Sequence, residues 1–372
     1  MVKTIFAEII ENMKETDFVL PAYESSLDSG KAQWSAPSNI ALIKYWGKYA
    51  SQIPANASVS FTLTNCKTET TVAFKKRSNQ DQDYDLTVLF EGIINNDFRP
   101  KIETFFSRIE PYLPFLKKYH FEISTSNTFP HSSGIASSAS GMAALALCLM
   151  DIERQIYPKM TDEYFFRKAS FLARLGSGSA CRSIKGPLVE WGKHPLISHS
   201  TDLYGIEYPF EVHEVFKSYQ DTILLVHKGA KTVSSTVGHD LMKGHLFAEQ
   251  RFQQAKENLG KMIEVFTKGD IAKFIEIVES EALSLHAMMM SSLPYFILMK
   301  PNTLQIIERI WEYRKSTGSQ LCFTLDAGAN VHLLYPENEK EKVKDFIDSE
   351  LVAYCENGHY ICDRVGDGAK KL

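Results

Sequence analysis

Apolar and polar positions change period several times along this chain, and the changes divide it into strands and helices. Residues Thr68 to Phe74 (TETTVAF) and Tyr84 to Phe90 (YDLTVLF) are rich in β-branched and aromatic residues, as half-buried strands are. The polar run NQDQ between them predicts a hairpin. Tyr119 to Ser124 (YHFEIS) predicts a third strand, which leads into a serine-rich loop. From about Ser138 to Glu153 the chain is small and apolar, which predicts a helix. A second helix is predicted from about Thr161 to Leu175, with Thr161 as its N-cap. In the second half Asp221 to Gly229 (DTILLVHKG) predicts a strand, with helices from Gly244 to Gly260 and from Ile271 to Ala287. LCFTLD and VHLLYP bracket the turn AGAN as a hairpin, and a helix follows over 339–350. Strands and helices do not alternate regularly, so the expected class is α+β and not doubly wound. A division near residue 210 gives domains 1–210 and 211–372.

Composition narrows the function classes. The chain has 372 residues, 44% hydrophobic and 23% charged, with a formal charge of −4, as expected of a globular protein with room for two cores. Basic residues are scattered, which argues against a nucleic-acid surface. An anionic ligand would therefore need a local cluster of cations. No apolar run approaches a membrane span, and the first twenty residues carry four acids, so no signal peptide is expected. The six cysteines form no CxxC pair, which speaks against a zinc or redox motif. A cytoplasmic enzyme is the expectation.

Four constellations carry chemistry. Phe129 to Ala143, FPHSSGIASSASGMA, holds five serines and two glycines ahead of the helix. Small residues let backbone approach a ligand closely, and amides at a helix start attract anions. The spacing is neither GxGxxG nor GxxxxGK[ST], so it predicts a nucleotide-phosphate loop of another type. Ser137 and Ser138 are its candidate phosphate and magnesium contacts. Ser35 to Lys48, SAPSNIALIKYWGK, gathers Asn39, Lys44, Tyr45 and Lys48: an amide, a phenol and two cations. Arg174 to Ser183, RLGSGSACRS, offers Ser177, Ser179 and Arg182, and suits a carboxylate or phosphate. Asp326, in LCFTLDAGAN, ends an apolar strand and is either a general base, a metal ligand or the aspartate of an Asx-turn. Asn330 has the character of a turn residue. His239 and His245 are expected at the surface or in packing, and His286 in the core.

These motifs, with KTVSSTVG from Lys231 to Gly238 and the segment Leu285 to Met289, resemble those of the mevalonate diphosphate decarboxylases of the GHMP kinase superfamily. The resemblance spans about residues 35–335. It implies a two-domain GHMP kinase fold with the active site in the interdomain cleft. It implies ATP-dependent decarboxylation of mevalonate 5-diphosphate to isopentenyl diphosphate, with ATP and Mg2+ required and the substrate a small molecule. Decarboxylation of mevalonate 5-phosphate, or a GHMP-type kinase reaction without decarboxylation, is the alternative. Asp326, Arg182 and Asn39 would be catalytic, and Tyr45, Lys48, Ser177, Ser179 and Arg182 would bind substrate. Gly134, Ser137, Ser138, Ser140 and Ser235 would hold the nucleotide, with Ser137 and Ser138 near the metal. Dimers are common in the family, which leaves a homodimer as one open assembly state. The chain departs from the family pattern at His131, at Ala57, at DAGAN where DAGPN is usual, and at His239 where methionine is usual.

Overall fold

The structure, a computed structural model, describes residues 13–20, 23, 26–78, 83–130, 135–229, 233 and 235–372, with the side chain of Ser235 excepted. Two long strands organise it. β1 (Ser29–Ile43) and β4 (Ser58–Lys76) run antiparallel along most of their length, with the short pair β2 (Lys48–Tyr49) and β3 (Ile53–Pro54) between them in sequence. β5 (Asp85–Phe90), β6 (Ile93–Ile94), β7 (Tyr119–Asn127), β8 (Leu188–Trp191) and β9 (Ile206–Glu207) extend the same sheet. The expected hairpin of TETTVAF and YDLTVLF does not form. β7 lies between β4 and β5, antiparallel to the first and parallel to the second. Alternation reveals that a strand has a buried face but not which strand lies beside it. The parallel step requires a crossover, which the chain makes through α1 (Arg99–Ile109).

Helices α2 (Ser137–Ile156) and α3 (Asp162–Gly176) pack with α1 on one face of this sheet. Thr161 caps α3 as expected, its hydroxyl accepting the N–H of Tyr164 at 3.2 Å. The core here joins Trp34, Val72, Phe74, Phe121 and Ile123 to Phe105, Leu147 and Phe171.

In the second half, β10 (Gln220–Leu224), β11 (Cys322–Leu325), β12 (Val331–Tyr335) and β13 (Tyr360–Arg364) form an antiparallel sheet in the order β11-β12-β10-β13. The LCFTLD–VHLLYP hairpin is present as β11 and β12. Helices α4 (Ser235–Asp240), α5 (Ala248–Lys268), α6 (Ile271–Met290), α7 (Pro301–Thr317) and α8 (Lys340–Phe346) complete this half. Alternate residues of its strands enter different cores. Ile223, Cys322 and Leu334 meet α5 and α6, while Leu224, Phe323 and Leu333 meet α7 and α8.

The two halves interlock. β1 enters the first core with Ala32, Trp34 and Ala36, and the α5–α6 core with Ile40, Leu42 and Ile43. Its register against β4 shifts between Pro37 and Asn39, where proline has no N–H for the ladder. The last strand, β14 (Lys370–Lys371), returns to pair with β1.

Candidate active site

Where the halves meet, a cavity of about 530 Å³ opens between β1, the start of α2, the turn after α3, α4 and the end of β11. Most residues singled out in the sequence line it: Asn39, Tyr45, Lys48, Ser137, Ser138, Ser177, Ser179, Arg182 and Asp326. Gly134 and His131 lie outside the described residues, as does the side chain of Ser235, whose neighbour Thr236 reaches the wall. Ser140 is a correction. Its hydroxyl is fully buried and shares a 2.6 Å hydrogen bond with Thr68, so it ties α2 to β4 and does not face a ligand.

Among the described residues four cations and one carboxylate line the cavity: Lys44, Lys48, Lys101 and Arg182 against Asp326. Lys44 is almost fully buried, and its Nζ lies 3.1 Å from Asp326 Oδ1. Burial pushes its ammonium pKa down, against the pull of Asp326 and then Glu281. Glu281 sits directly behind, completely buried. It accepts the backbone N–H of Lys44 at 2.9 Å, Asn258 at 2.8 Å and the Arg251 guanidinium. Asp326 is held through its main chain as well, since His286 Nε2 lies 3.1 Å from its carbonyl oxygen. Asn330 serves the same turn, its Oδ1 accepting the N–H of His227 at 2.9 Å.

Arg182 is buried and, among the described residues, has no carboxylate partner in direct contact. Nε donates to Ser60 Oγ at 2.6 Å and Nη1 to Ser58 Oγ at 2.7 Å, so that among the described residues Nη2 has no hydrogen-bond partner, on a side chain that lines the cavity. Burial lowers its pKa from the usual arginine value, though guanidinium stays charged in proteins. Asn39 Nδ2 donates to Ser179 O at 3.2 Å and Ser183 Oγ at 2.7 Å. Both amide hydrogens are thereby engaged with the turn that carries Ser179 and Arg182. Asn39, which the resemblance makes catalytic, thus lines the cavity with its donors spent on positioning the turn.

The Tyr45 hydroxyl is buried without a partner among the described residues, and burial pushes its pKa above the usual phenol range. A side chain at Gly178 would meet it, since a Cβ there would stand 2.8 Å from Tyr45 Oη and 2.9 Å from Trp191. Lys48 is half-buried with its pKa lowered, chiefly by burial. Lys101, on α1, donates from Nζ to Ser138 Oγ at 2.8 Å, and burial lowers its pKa too. The twenty-residue helix α2 starts at this wall without a side-chain cap, and Ser137 and Ser138 of its first turn line the cavity, the kind of helix start that attracts anions.

Three titratable residues line the cavity without a site role expected from the sequence: Lys44, Lys101 and His239. Lys44 carried a signal, being the other cation of IKYWGK. His239, expected at the surface or in packing, is not at the surface but buried in the cavity wall, with its ring 4.3 Å from that of Tyr45. His286 is in the core as expected.

A polycationic cleft with one paired carboxylate, between interlocked α+β halves, defines an enzyme of phosphorylated small molecules. Comparison with known proteins narrows the class. The diphosphomevalonate decarboxylase-like N-terminal domain matches residues 36–201, and the mevalonate 5-diphosphate decarboxylase C-terminal domain matches residues 222–365. The diphosphomevalonate decarboxylase of Saccharomyces cerevisiae is 30% identical over 336 residues, covering 85% of this chain and 80% of the yeast protein. The solved mevalonate diphosphate decarboxylase of Staphylococcus aureus superposes with a TM-score of 0.78 at 27% identity, covering 92% of this chain and 98% of that one. A structure described as MDDEF in complex with MVAPP, AMPPCP and magnesium gives the same TM-score and identity, covering 92% and 99%. The chain belongs to the diphosphomevalonate decarboxylase family.

Proposed function

We propose that the cavity holds mevalonate 5-diphosphate and ATP together, and that Asp326 acts on the 3-hydroxyl of the substrate. The activity is the decarboxylation of mevalonate 5-diphosphate in the mevalonate pathway. What carries the residue assignment is the charge of the cavity. Among the described residues four cations meet one carboxylate there, in a chain of net charge −4. Only a strongly anionic ligand set balances such a cluster.

The free donors of Arg182 suit the substrate carboxylate, with which guanidinium makes paired hydrogen bonds. Tyr45, Lys48, Ser177 and Ser179 suit the diphosphate arm. The orphaned phenol of Tyr45 supports this, because a buried donor without a partner costs stability until a ligand supplies one. ATP is assigned to the other end, its polyphosphate at the α2 amides and Lys101, and its base near Phe90 and Phe98. The ATP analogue bound in the MDDEF structure supports that assignment, and Gly134 and Ser235 enter it through the family resemblance alone.

No group of three or more His, Cys, Asp or Glu side chains gathers for a metal among the described residues. The site therefore fits a magnesium ion that arrives on the nucleotide phosphates, where it would neutralise charge. Ser137 is its best protein contact, because the Ser138 hydroxyl is already engaged by the Lys101 ammonium.

Asp326 accepts the proton of the tertiary hydroxyl as its oxygen attacks the γ-phosphorus of ATP, and ADP departs. Lys44 aims the carboxylate and stabilises its charge. The C3–O bond then breaks with its electron pair leaving on phosphate. The C1–C2 pair becomes the C2=C3 double bond as carbon dioxide leaves, giving isopentenyl diphosphate. Tight holding of the diphosphate arm supplies the orientation this fragile centre needs. We also place the domain division near residue 210, which the gap between the two family matches supports. The six free cysteines support a reducing, cytoplasmic setting.

Product analysis tests the proposal. Purified enzyme with ATP and magnesium releases carbon dioxide from mevalonate 5-diphosphate, and not from the 5-phosphate or mevalonate. Asp326→Asn lowers turnover by about 10²–10⁴-fold while ATP binding persists. Near wild-type turnover in that variant removes Asp326 from its role, and ADP formation without carbon dioxide overturns the assignment as a whole.

A further inference from the structure

His239 differs from its neighbours in the cavity wall in having one ring nitrogen spent and one available. Its ring lies against Tyr45 and Trp46, with centroids 4.3 and 4.6 Å away. Nδ1 accepts the backbone N–H of Gly47 at 3.0 Å. A nitrogen that accepts carries no proton, so the neutral ring bears its hydrogen on Nε2. Nε2 has no hydrogen-bond partner among the described residues. The charged groups that act on the ring are Lys48 and Arg182, which, after burial, hold it in the neutral form. Asp240 follows it in sequence. The ring is thus a fixed donor, anchored to the turn that presents Lys48.

We propose that His239 is a specificity-determining residue whose Nε2–H donates a hydrogen bond to the phosphate arm of the substrate. This rests on the assignment of Lys48 and Tyr45 to that arm. A phosphate oxygen accepts from such a donor, whereas an apolar side chain in its place offers nothing. The bond recognises an anion without adding charge, so it sharpens the choice between a diphosphate and a shorter arm.

Two amide substitutions separate the ring nitrogens. His239→Asn keeps an acceptor for Gly47 and loses the donor, whereas His239→Gln keeps a donor at the position of Nε2 and loses the Gly47 bond. Calorimetric binding of mevalonate 5-diphosphate is expected to weaken about 10- to 100-fold in His239→Asn, with KM rising and kcat little changed. His239→Gln is expected to stay within about threefold of the wild type. Wild-type affinity in the Asn variant, or an equal loss in both, overturns the proposal. A readout on the unaltered enzyme keeps the test independent of variant folding. In a ¹⁵N-labelled sample the His239 Nε2–H resonance shifts downfield on addition of mevalonate 5-diphosphate, and an unmoved resonance refutes the bond. Failure of the underlying site assignment looks different: Lys48→Ala would then leave KM unchanged, whatever the His239 variants do.

Discussion

Lys44 and His239 are both buried bases that line the cavity, yet their surroundings drive them to opposite roles. Lys44 loses solvation but gains Asp326 at 3.1 Å, which seats the pair where the proposed reaction takes a proton from the substrate hydroxyl. His239 gains no anion. Burial first, then Lys48 and Arg182, push its pKa from 6.5 down to about 3. A folded value below the unfolded one means that the unfolded chain binds the extra proton between those limits. The stabilisation contributed by the neutral ring is therefore complete above about pH 6.5 and shrinks as the pH falls toward 3. Urea unfolding of the wild type and His239→Gln should show a stability difference that moves against the wild type on acidification. The expected slope approaches about 1.4 kcal/mol per pH unit, and a pH-independent difference refutes the buried neutral ring. Neither contact is legible in the sequence. Lys44 meets Asp326 across 282 positions and His239 meets Gly47 across 192. That Tyr45, Lys48, Ser177, Ser179 and Arg182 belong to one site region was legible, and they do line one cavity, because two short motifs carry them with their small neighbours.

At the scale of elements, the site depends on how β1 ends and what stands behind it. β1 delivers Asn39 into the cavity just past its register shift and Lys44 just past its last residue. α5 and α6 then hold the backbone of Lys44 through Glu281, Arg251 and Asn258. Glu281→Gln leaves the Arg251 guanidinium buried without its counter-charge, which costs about 3–5 kcal/mol when one partner of a buried pair is lost. Thermal unfolding should fall accordingly, and kcat with it, because Lys44 loses a backbone anchor. An unchanged melting temperature rules out this network as the support of β1. Legibility follows the same logic here. Thr161, with a local cap, gave a correct helix start. α7 lies outside the predicted elements although Pro301 opens it and Gly318 closes it in the left-handed region at φ +73, the sequence marks of a helix's two ends. The β4–β7–β5 order was not legible, since it depends on a crossover that alternation does not encode.

The whole molecule has to keep Asp326, at the end of β11, aligned with Lys44, at the end of β1, and these belong to different sheets. The chain solves this by returning. After β13 it leaves the second sheet, and β14 pairs with β1 in the first. Asp363 makes that junction specific. Where β4 parts from β1, the amides of Thr64, Asn65 and Cys66 lack ladder partners, and the buried Asp363 carboxylate accepts all three at 2.9, 2.9 and 2.7 Å. One side chain near the end of the chain thus satisfies three donors in its first half. Hydrogen bonds to a charged acceptor contribute about 1.5–3 kcal/mol each when counted singly, and three on one carboxylate do not add fully. Asp363→Ala is therefore expected to lower unfolding stability by roughly 3 kcal/mol. It should also lower kcat, because β13 and β14 no longer fix the second sheet against β1 and the Lys44–Asp326 geometry loosens. Asp363→Asn retains one acceptor oxygen and should fall between the two. Chemical denaturation with steady-state kinetics on both variants decides the matter. Lower stability with unchanged kcat would mean that the junction holds the fold but not the site. An unchanged midpoint would mean that the two sheets are held by their shared core alone.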